Sequence, residues 1–444
     1  MKADIIPLET PAPNFRRERA MDRISRRLVL DMLRKLRHGR ITLVENEGTS
    51  AFGGLSRVCS LEGSVRVHHP SFYTRVALGG TLGAAEAYME GLWSSRDLTA
   101  VIRILLLNEP VFQTMETGWA RLTTPLNRAY HFLRRNTPGG SRANILAHYD
   151  LGNDFYRLFL DETLTYSSGI FETEESSLAE ASIAKYRRIC EKLRLTADDH
   201  VVEIGTGWGG FALYAARQYG CRVTTTTISQ AQYRLAAERI REAGLSDRIT
   251  LLSEDYRNLA GRYDKLVSIE MIEAVGHQYL DTFFETCGRL LREDGIMAIQ
   301  AITMRDQAFE DHKRTVDFIK RYIFPGSCIP SITAMTASLT RATDLRLFHL
   351  EDITPHYART LQEWRERFFS NIDAVRAMGF PETFIRMWDY YLSYCEAGFA
   401  EHYIGNVQMV LTKPLCRRSP ILPPLEARPR GNEFPRYYVP SLQD

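Results

Sequence analysis

The sequence predicts an α/β protein whose larger part is a mostly parallel, doubly wound sheet, and three observations lead to this prediction. Strand-length apolar runs recur after residue 148 and mostly alternate with segments of helical periodicity. The first run leads into a glycine-rich turn and then a helix, in VVEIGTGWGGFALYAARQYG at residues 201–220. The chain has 444 residues, which leaves room for a second, smaller α+β domain before the sheet.

Composition indicates an ordinary globular protein, with 44% hydrophobic residues, 25% charged residues and a formal net charge of +2. Seven scattered cysteines lack metal-ligand spacing, and the start of the sequence has no signal-peptide core. We therefore expect a reducing cytoplasm and no metal site. No run approaches the roughly 18–20 apolar residues that span a bilayer, so any membrane contact is expected to be peripheral.

The small domain is predicted over residues 15–133, after a disordered tail at 1–14 and before a linker at 134–147. Alternating residues from RITLVEN through SVRVHHP to FYTRVAL predict a few strands, and the segment that begins GTLGAAEAYMEGLW predicts mostly helix. Together these segments predict a compact α+β unit.

A basic helix is predicted over residues 15–40, where ten arginines and lysines outnumber three acidic residues. Ile24, Leu28, Met32 and Leu36 recur at helical spacing on another face, so the helix is amphipathic. Two interpretations remain open: a surface helix with a solvated charged side, or a helix that docks on anionic lipid headgroups.

The large domain is predicted over residues 148–415, followed by a tail at 416–444. The helical stretch at 305–344 interrupts the alternation of strands and helices, and we expect it to form an insertion that caps the ligand end of the sheet. The last two strands are expected to pair antiparallel at one edge. The strand candidates of the large domain are 201–204, 222–227, 249–252, 265–269, 295–302, 346–351 and 406–412.

The glycine loop decides which cofactor the sheet is expected to bind. Gly205, Gly207 and Gly210 spell GxGxxG, but a site for NAD also needs an acidic residue after the second strand, and CRVTTTTIS has none. Instead, Glu203 precedes the glycines and Asp255 follows the third strand. This arrangement is typical of methyltransferases that use S-adenosylmethionine, and it predicts a class I methyltransferase with a Rossmann-like sheet.

Further motifs resemble the cyclopropane-fatty-acyl-phospholipid synthase family, which includes bacterial phospholipid enzymes and mycolic acid methyltransferases. The resemblance implies methyl transfer from S-adenosylmethionine to the double bond of an unsaturated acyl chain in a membrane phospholipid, through a carbocation that closes to a cyclopropane. It also implies a peripheral enzyme at the inner membrane face, and it suggests a homodimer. The motifs lie in the family's order between about residues 145 and 413: HYDLGNDFYRLFLDETLTYSSGIF, VVEIGTGWGG, TTTISQAQ, EDYRNL, EMIEAVGHQY, YIFPGSCIPS and HYARTLQEW.

The same resemblance implies a set of cofactor-binding residues. Residues of the TYSS segment and the glycine loop would contact the methionine part, residues of TTTISQAQ the ribose, and residues of EDYRNL the adenine. The set is Tyr166, Ser167, Glu203, Gly205, Gly207, Thr227, Gln232, Asp255 and Tyr256.

Catalysis needs electron-rich walls for the carbocation and a base for the surplus proton. Tyr149 and Tyr322 are the aromatic candidates. The family's base is thought to be bicarbonate, and the positions that match its binding residues are Ser168, Glu273, Gln300, Ile302 and Tyr357.

Three positions depart from the family pattern: Ser168 stands in place of a cysteine, and Gln300 and Ala274 each stand in place of a histidine. A neutral amide cannot become cationic, so bicarbonate binding should weaken, or else Glu273 acts more directly as the base. A base in a different position would give a methylene or methyl-branched chain instead of a ring.

Two other classes of function are alternatives to a lipid methyltransferase. A non-catalytic lipid-binding protein with a decayed methyltransferase fold would explain the altered residues, but it would not preserve the cofactor loop. Nucleic-acid binding is not expected, because no basic stripe interleaved with aromatic residues accompanies the cofactor motifs.

Overall fold

The computed structural model describes residues 20–111 and 151–421. The predicted tail at 1–14, the predicted linker at 134–147, Tyr149 and most of the segment 416–444 lie outside the described residues. Two sheets form in the described part, one of four strands and one of seven.

The small unit surrounds the four-stranded sheet, whose order is β2-β1-β3-β4. Strand β1 pairs antiparallel with β2 and parallel with β3, and β4 pairs antiparallel with β3. Its elements are α1 (Ala20–Leu33), β1 (Gly39–Glu45), β2 (Gly48–Gly54), β3 (Glu62–Val67), α2 (Ser71–Met89), β4 (Trp93–Ser94) and α3 (Leu98–Leu107).

One strand prediction in the small unit is wrong, because FYTRVAL at residues 72–78 lies inside helix α2. Pro70 directly precedes the helix, with a φ of −58° that suits a helix start. The helix buries Phe72 and Tyr73 in the core of the unit. A short alternating run does not distinguish a strand from a helix, and here tertiary packing decides.

The larger sheet has the order β10-β11-β9-β8-β5-β6-β7. Each of the seven predicted strands corresponds to one of its members, and β11 alone runs antiparallel to its neighbours β9 and β10. This mostly parallel sheet confirms the predicted fold class. Its strands are β5 (His200–Ile204), β6 (Arg222–Thr226), β7 (Ile249–Leu252), β8 (Tyr263–Ile269), β9 (Leu291–Met304), β10 (Arg346–Asp352) and β11 (Ile404–Thr412).

Helices cover this sheet, and the predicted insertion at 305–344 contains α9, a π-helical turn at Ile319–Ile323 and α10. Helix α5 begins with a capping box, in which Ser177 and Glu180 each bond the other's backbone N–H. The helices are α4 (Asn153–Arg157), α5 (Leu178–Leu193), α6 (Gly210–Tyr219), α7 (Gln230–Glu242), α8 (Leu280–Leu290), α9 (Asp306–His312), α10 (Ile332–Ala342), α11 (Thr354–Ser370), α12 (Ile372–Ala377) and α13 (Glu382–Ala400).

The two units meet where α13 packs against α2 and α3. Asp389 on α13 is only 2% exposed, and its carboxylate accepts bonds from the Tyr88 hydroxyl at 2.5 Å and from Arg365 Nε at 2.6 Å. Nearby, Arg103 pairs with Glu401 at 2.6 Å. Buried charges are costly unless they are paired, so these contacts fix how the small unit sits on the large unit, which contains the seven-stranded sheet and is called the catalytic unit below.

Candidate active site

The glycine loop after β5 has a backbone that only glycine adopts easily. Gly205 has a φ of +104° and Gly207 a φ of +54°. A Cβ atom on Gly205 would lie 3.2 Å from Met271 Cγ, whereas a Cβ on Gly207 would meet open space. Gly210 opens helix α6, and a Cβ there would collide with the Tyr186 hydroxyl. The loop therefore exposes bare backbone to a cavity at the carboxyl end of the sheet.

Glu203, the acid before the glycines, is 2% exposed and lines this cavity. Thr225 donates its hydroxyl to Glu203 Oε2 at 2.6 Å. Burial raises the pKa of the Glu203 carboxyl to about 8, despite that bond. A buried acid aimed at the cavity from the end of β5 suits a polar ligand that supplies further hydrogen bonds.

A buried lysine, which the sequence analysis missed, lies behind the TYSS segment. Lys185 Nζ donates to Ser167 Oγ at 2.6 Å, and burial lowers the pKa of this lysine to about 8. The sequence signal that could have identified Lys185 is its position on the buried face of α5, after the capping box. Lys185 holds Ser167 in place at the cavity wall.

The other predicted cofactor residues meet at the same cavity. Thr227 donates its hydroxyl to Gln232 Oε1 at 2.9 Å, which orients the glutamine amide. Arg257, a second residue missed from sequence, donates to the Asp255 carboxylate from its backbone N–H and its guanidinium, at 2.6–3.0 Å. Burial by itself raises the pKa of Asp255, but these bonds lower it overall.

All nine predicted cofactor residues line one cavity. The bare glycine backbone, the buried acid Glu203 and the oriented Gln232 amide fit a ligand with amino-acid and ribose groups. These residues would hold S-adenosylmethionine, and their individual contacts with it stay predictions.

The predicted catalytic residues divide into two groups. Glu273, Ile302 and Tyr357 line the cavity. Ser168 and Gln300 are buried, at 0% and 1% exposure, and do not line it.

Tyr322 requires a correction, because it is not a wall of the cavity. Its hydroxyl donates to Glu86 Oε1 at 2.7 Å, at the contact with α2 of the small unit. From this part of the chain, Ile319 at the start of the π-helical turn Ile319–Ile323 and Phe324 directly after it line the cavity.

The most densely bonded side chain at the cavity is Glu270, which the sequence analysis did not single out. Its Oε1 accepts from Ser168 N at 3.1 Å and Gln300 Nε2 at 2.8 Å, and from Asn406 Nδ2 at 2.7 Å. Its Oε2 accepts from the Tyr357 hydroxyl at 2.7 Å. Burial first, and Glu270 second, raise the pKa of Tyr357 well above its ordinary value.

Glu273 lies beside Glu270 and is 9% exposed. Its Oε1 accepts from the backbone N–H of Ile302, and its Oε2 has no hydrogen-bond partner among the described residues. Burial, followed by repulsion from Glu270, raises the pKa of Glu273 to about 8. Glu273 therefore presents an unengaged carboxyl oxygen with high proton affinity.

The cavity has a volume of about 1070 Å³, at the upper end of the ~300–1,000 Å³ of most small-molecule sites. It continues past the carboxylates into the small unit, where apolar side chains of α1, β1 and α3 line it. The walls around the carboxylates are largely aromatic: Tyr166, Phe324, Tyr357, Tyr391 and Phe399.

The reversed strand β11 in a mostly parallel sheet, the glycine loop, the acid near the end of β5 and the acid after β7 define a class I methyltransferase that depends on S-adenosylmethionine. Residues 138–409 match the family model described as mycolic acid cyclopropane synthetase. The chain belongs to this family, so the predicted family and the prediction of an enzyme are confirmed.

Two relatives cover most of the chain. Tuberculostearic acid methyltransferase UfaA1 of Mycobacterium tuberculosis is 37% identical over 388 residues, 85% of this chain and 88% of that protein. Cyclopropane-fatty-acyl-phospholipid synthase of Escherichia coli is 34% identical over 364 residues, 80% of this chain and 89% of that protein.

Among solved structures, mycolic acid cyclopropane synthase CmaA1 complexed with SAH and CTAB is similar with a TM-score of 0.57. It is 32% identical and covers 61% of this chain and 98% of its own. No helix among the described residues is long and apolar enough to cross a membrane.

Proposed function

We propose that this enzyme transfers a methyl group from S-adenosylmethionine to the double bond of an unsaturated acyl chain in a membrane phospholipid, and that the product is a cyclopropane. One observation carries the proposal. An aromatic-lined cavity joins the nine predicted cofactor residues to Glu270 and Glu273, and it continues as an apolar space into the small unit. A hydrocarbon chain fits such a space, whereas the polar groups of a polar substrate would find no hydrogen-bond partners on its apolar walls.

S-adenosylmethionine, when bound, supplies an electrophilic methyl group on a sulfonium centre. An isolated alkene is a weak nucleophile, so the cavity contributes mainly by holding the double bond in place. Bond formation at one alkene carbon leaves a positive charge on the other. The aromatic residues Tyr166, Tyr357 and Phe399 line the cavity, and aromatic rings attract such a charge. The apolar walls exclude water that would trap it as an alcohol.

Glu273 is our proposed proton acceptor. Glu273 lines the cavity, and its buried Oε2 has no hydrogen-bond partner among the described residues. One C–H bond of the transferred methyl group breaks, its electron pair closes the three-membered ring, and the proton passes to Glu273 Oε2.

Turnover is expected to depend on pH through Glu273. Its pKa is raised to about 8, so below that pH the carboxyl already carries a proton and cannot accept another. The turnover number should rise about tenfold per pH unit toward pH 8 and level off above it. Initial rates between pH 6 and 9, at saturating cofactor and lipid, measure this, and a flat profile would contradict the assignment.

A second product is favoured by two observations. Gln300 and Ser168 differ from the family's anion-binding residues, and a tuberculostearic acid methyltransferase is 37% identical to the chain. If a hydride first shifts from the methylated carbon to its cationic neighbour, proton loss from the transferred methyl group gives a methylene chain, and proton loss from an adjacent chain carbon gives a methyl-branched alkene. The first step, methyl transfer to the alkene, is common to both products.

The direct test incubates purified enzyme and S-adenosylmethionine with vesicles of monounsaturated phospholipid. Mass spectrometry should show a gain of one CH2 unit in the acyl chain. NMR of the recovered lipid then separates a ring from a branch, since only the branched products have a newly substituted alkene. Unchanged lipid under all conditions would refute the proposed methyl transfer to phospholipid.

Peripheral membrane docking is supported by helix α1. Met21, Ile24 and Leu28 are 52%, 59% and 51% exposed, and Arg23 and Arg27 are exposed beside them. Of the predicted apolar stripe, only Met32 and Leu36 are buried. An exposed apolar stripe flanked by arginines suits an anionic bilayer surface.

The other side of α1 connects the proposed docking surface to the cavity. Val29, Met32 and Leu33 line the cavity, so one helix bears both the exposed stripe and part of the wall. A phospholipid at the bilayer surface would therefore lie close to the space proposed for its acyl chain.

Ile24→Glu combined with Leu28→Glu should weaken binding to anionic phospholipid vesicles at least about tenfold, because two apolar contacts are lost and two negative charges are added. The fold should persist, since both side chains are exposed. Met378→Glu, at a 42% exposed methionine of the catalytic unit, is the matched control. Vesicle sedimentation measures the binding, and equal losses in both variants would reject α1 as the docking surface.

A further inference from the structure

The residues that the family resemblance assigns to bicarbonate are already engaged with a side chain of this protein. Ser168 N–H, the Gln300 amide and the Tyr357 hydroxyl all donate to the Glu270 carboxylate, at 2.7–3.1 Å. The remaining two residues bond each other, because Ile302 donates its N–H to Glu273. Bicarbonate therefore does not fit this site as the chain is folded.

The Gln300 amide has its orientation fixed by a chain of hydrogen bonds. Lys192 Nζ can only donate, and it donates to Gln408 Oε1 at 2.7 Å. Gln408 Nε2 must then face Gln300 Oε1, at 2.9 Å, which leaves Gln300 Nε2 to face Glu270 Oε1 at 2.8 Å. Gln300 is thus a donor to an anion held by the protein, and no cationic histidine is needed at this position.

The backbone of Glu270 indicates that its position is specifically maintained. Its φ is +49°, in the left-handed region that residues other than glycine seldom adopt. Such conformations are energetically unfavourable and persist where surrounding contacts enforce them, often at functional sites. The Glu270 N–H bonds Gln300 O at 2.8 Å, so backbone and side chain are both tied to β9.

We propose that the Glu270 carboxylate is a built-in anion that takes the place of bicarbonate, so that this enzyme neither binds nor requires bicarbonate. This inference rests on the proposed function. Glu270 lines the cavity with a carboxylate that four donors hold in place, and there it faces the positive charge that develops on the acyl chain. The proton itself passes to the neighbouring Glu273 Oε2, so Glu270 acts as a fixed counter-charge.

Two variants separate this role from a structural one. Glu270→Gly removes the carboxylate, relieves the left-handed backbone and frees the donors for a small anion. Glu270→Gln keeps the side-chain volume but removes the charge. Binding of S-adenosylhomocysteine by calorimetry checks that both variants are folded.

In buffers depleted of carbon dioxide, the wild-type enzyme should keep its full turnover, and both variants should lose at least about 10²-fold. Millimolar bicarbonate should restore turnover of Glu270→Gly at least about tenfold, and it should leave the wild type and Glu270→Gln unchanged. NMR with ¹³C-labelled bicarbonate should detect binding to Glu270→Gly and not to the wild type.

Loss of wild-type turnover on carbon dioxide depletion, or ¹³C-bicarbonate binding by the wild type, would overturn the inference. So would full activity of Glu270→Gly without bicarbonate, or a folded Glu270→Gly that binds none. If the wild type modifies no lipid at all, the proposed function fails, whereas the ¹³C-bicarbonate measurement still tests the anion site by itself.

Discussion

Glu273→Gln is expected to reduce turnover of unsaturated phospholipid by about 10²–10⁴-fold, the range typical for loss of a general base. The amide keeps the size of the side chain and can still accept the bond from the Ile302 N–H through its oxygen. It cannot accept the proton that ring closure releases. Affinity for S-adenosylhomocysteine should change by less than about threefold, because Glu273 is not among the predicted cofactor residues.

The matched control is Glu396→Gln. Glu396 is a half-buried glutamate whose pKa is also raised by burial, but it lies outside the cavity and accepts a bond from Thr99 at 3.0 Å. This variant should keep its turnover, apart from a modest loss of stability. A Glu273→Gln enzyme with near-normal turnover would remove Glu273 from the proposed chemistry.

Gly205→Ala is expected to weaken cofactor binding about 10–100-fold. A φ of +104° is unfavourable for alanine, and the added Cβ would press on Met271 at 3.2 Å, so the loop must shift. Strain of about 1–3 kcal/mol at the loop corresponds to that loss of affinity. Calorimetric titration with S-adenosylhomocysteine measures it.

Gly244→Ala is the control for backbone strain alone. Gly244 also has a positive φ, +67°, but its Cβ would meet open space in the turn after α7. We expect a loss of about 1–2 kcal/mol in stability and unchanged cofactor affinity. If both variants bind the cofactor equally well, the glycine loop does not approach the ligand as proposed.

The strands of the large sheet could be predicted from sequence because most are short runs rich in apolar or β-branched residues between turn signals. The glycine loop, Glu203 and Asp255 were equally accessible, since they lie at strand ends that a parallel sheet brings to one edge. The other members of the cofactor set depended on the family resemblance.

The errors arose where a residue's position depends on distant contacts. FYTRVAL has an alternating pattern but packs as helix α2. Tyr322 lies in the π-helical turn, and its hydroxyl bonds Glu86 of the small unit. Glu270 acquires its environment from four residues on separate segments, and its left-handed backbone has no signature in a single sequence.

The contact between the two units has a consequence for solvent. Helix α13 presents Tyr391 and Phe399 to the cavity, and the same helix meets the small unit through Asp389 and Tyr88. Detaching the small unit would uncover the far end of the cavity and let water reach the proposed cationic chain. Exclusion of water from that cation would therefore depend on the contact between the two units, and loosening this contact should divert product toward hydroxylated lipid.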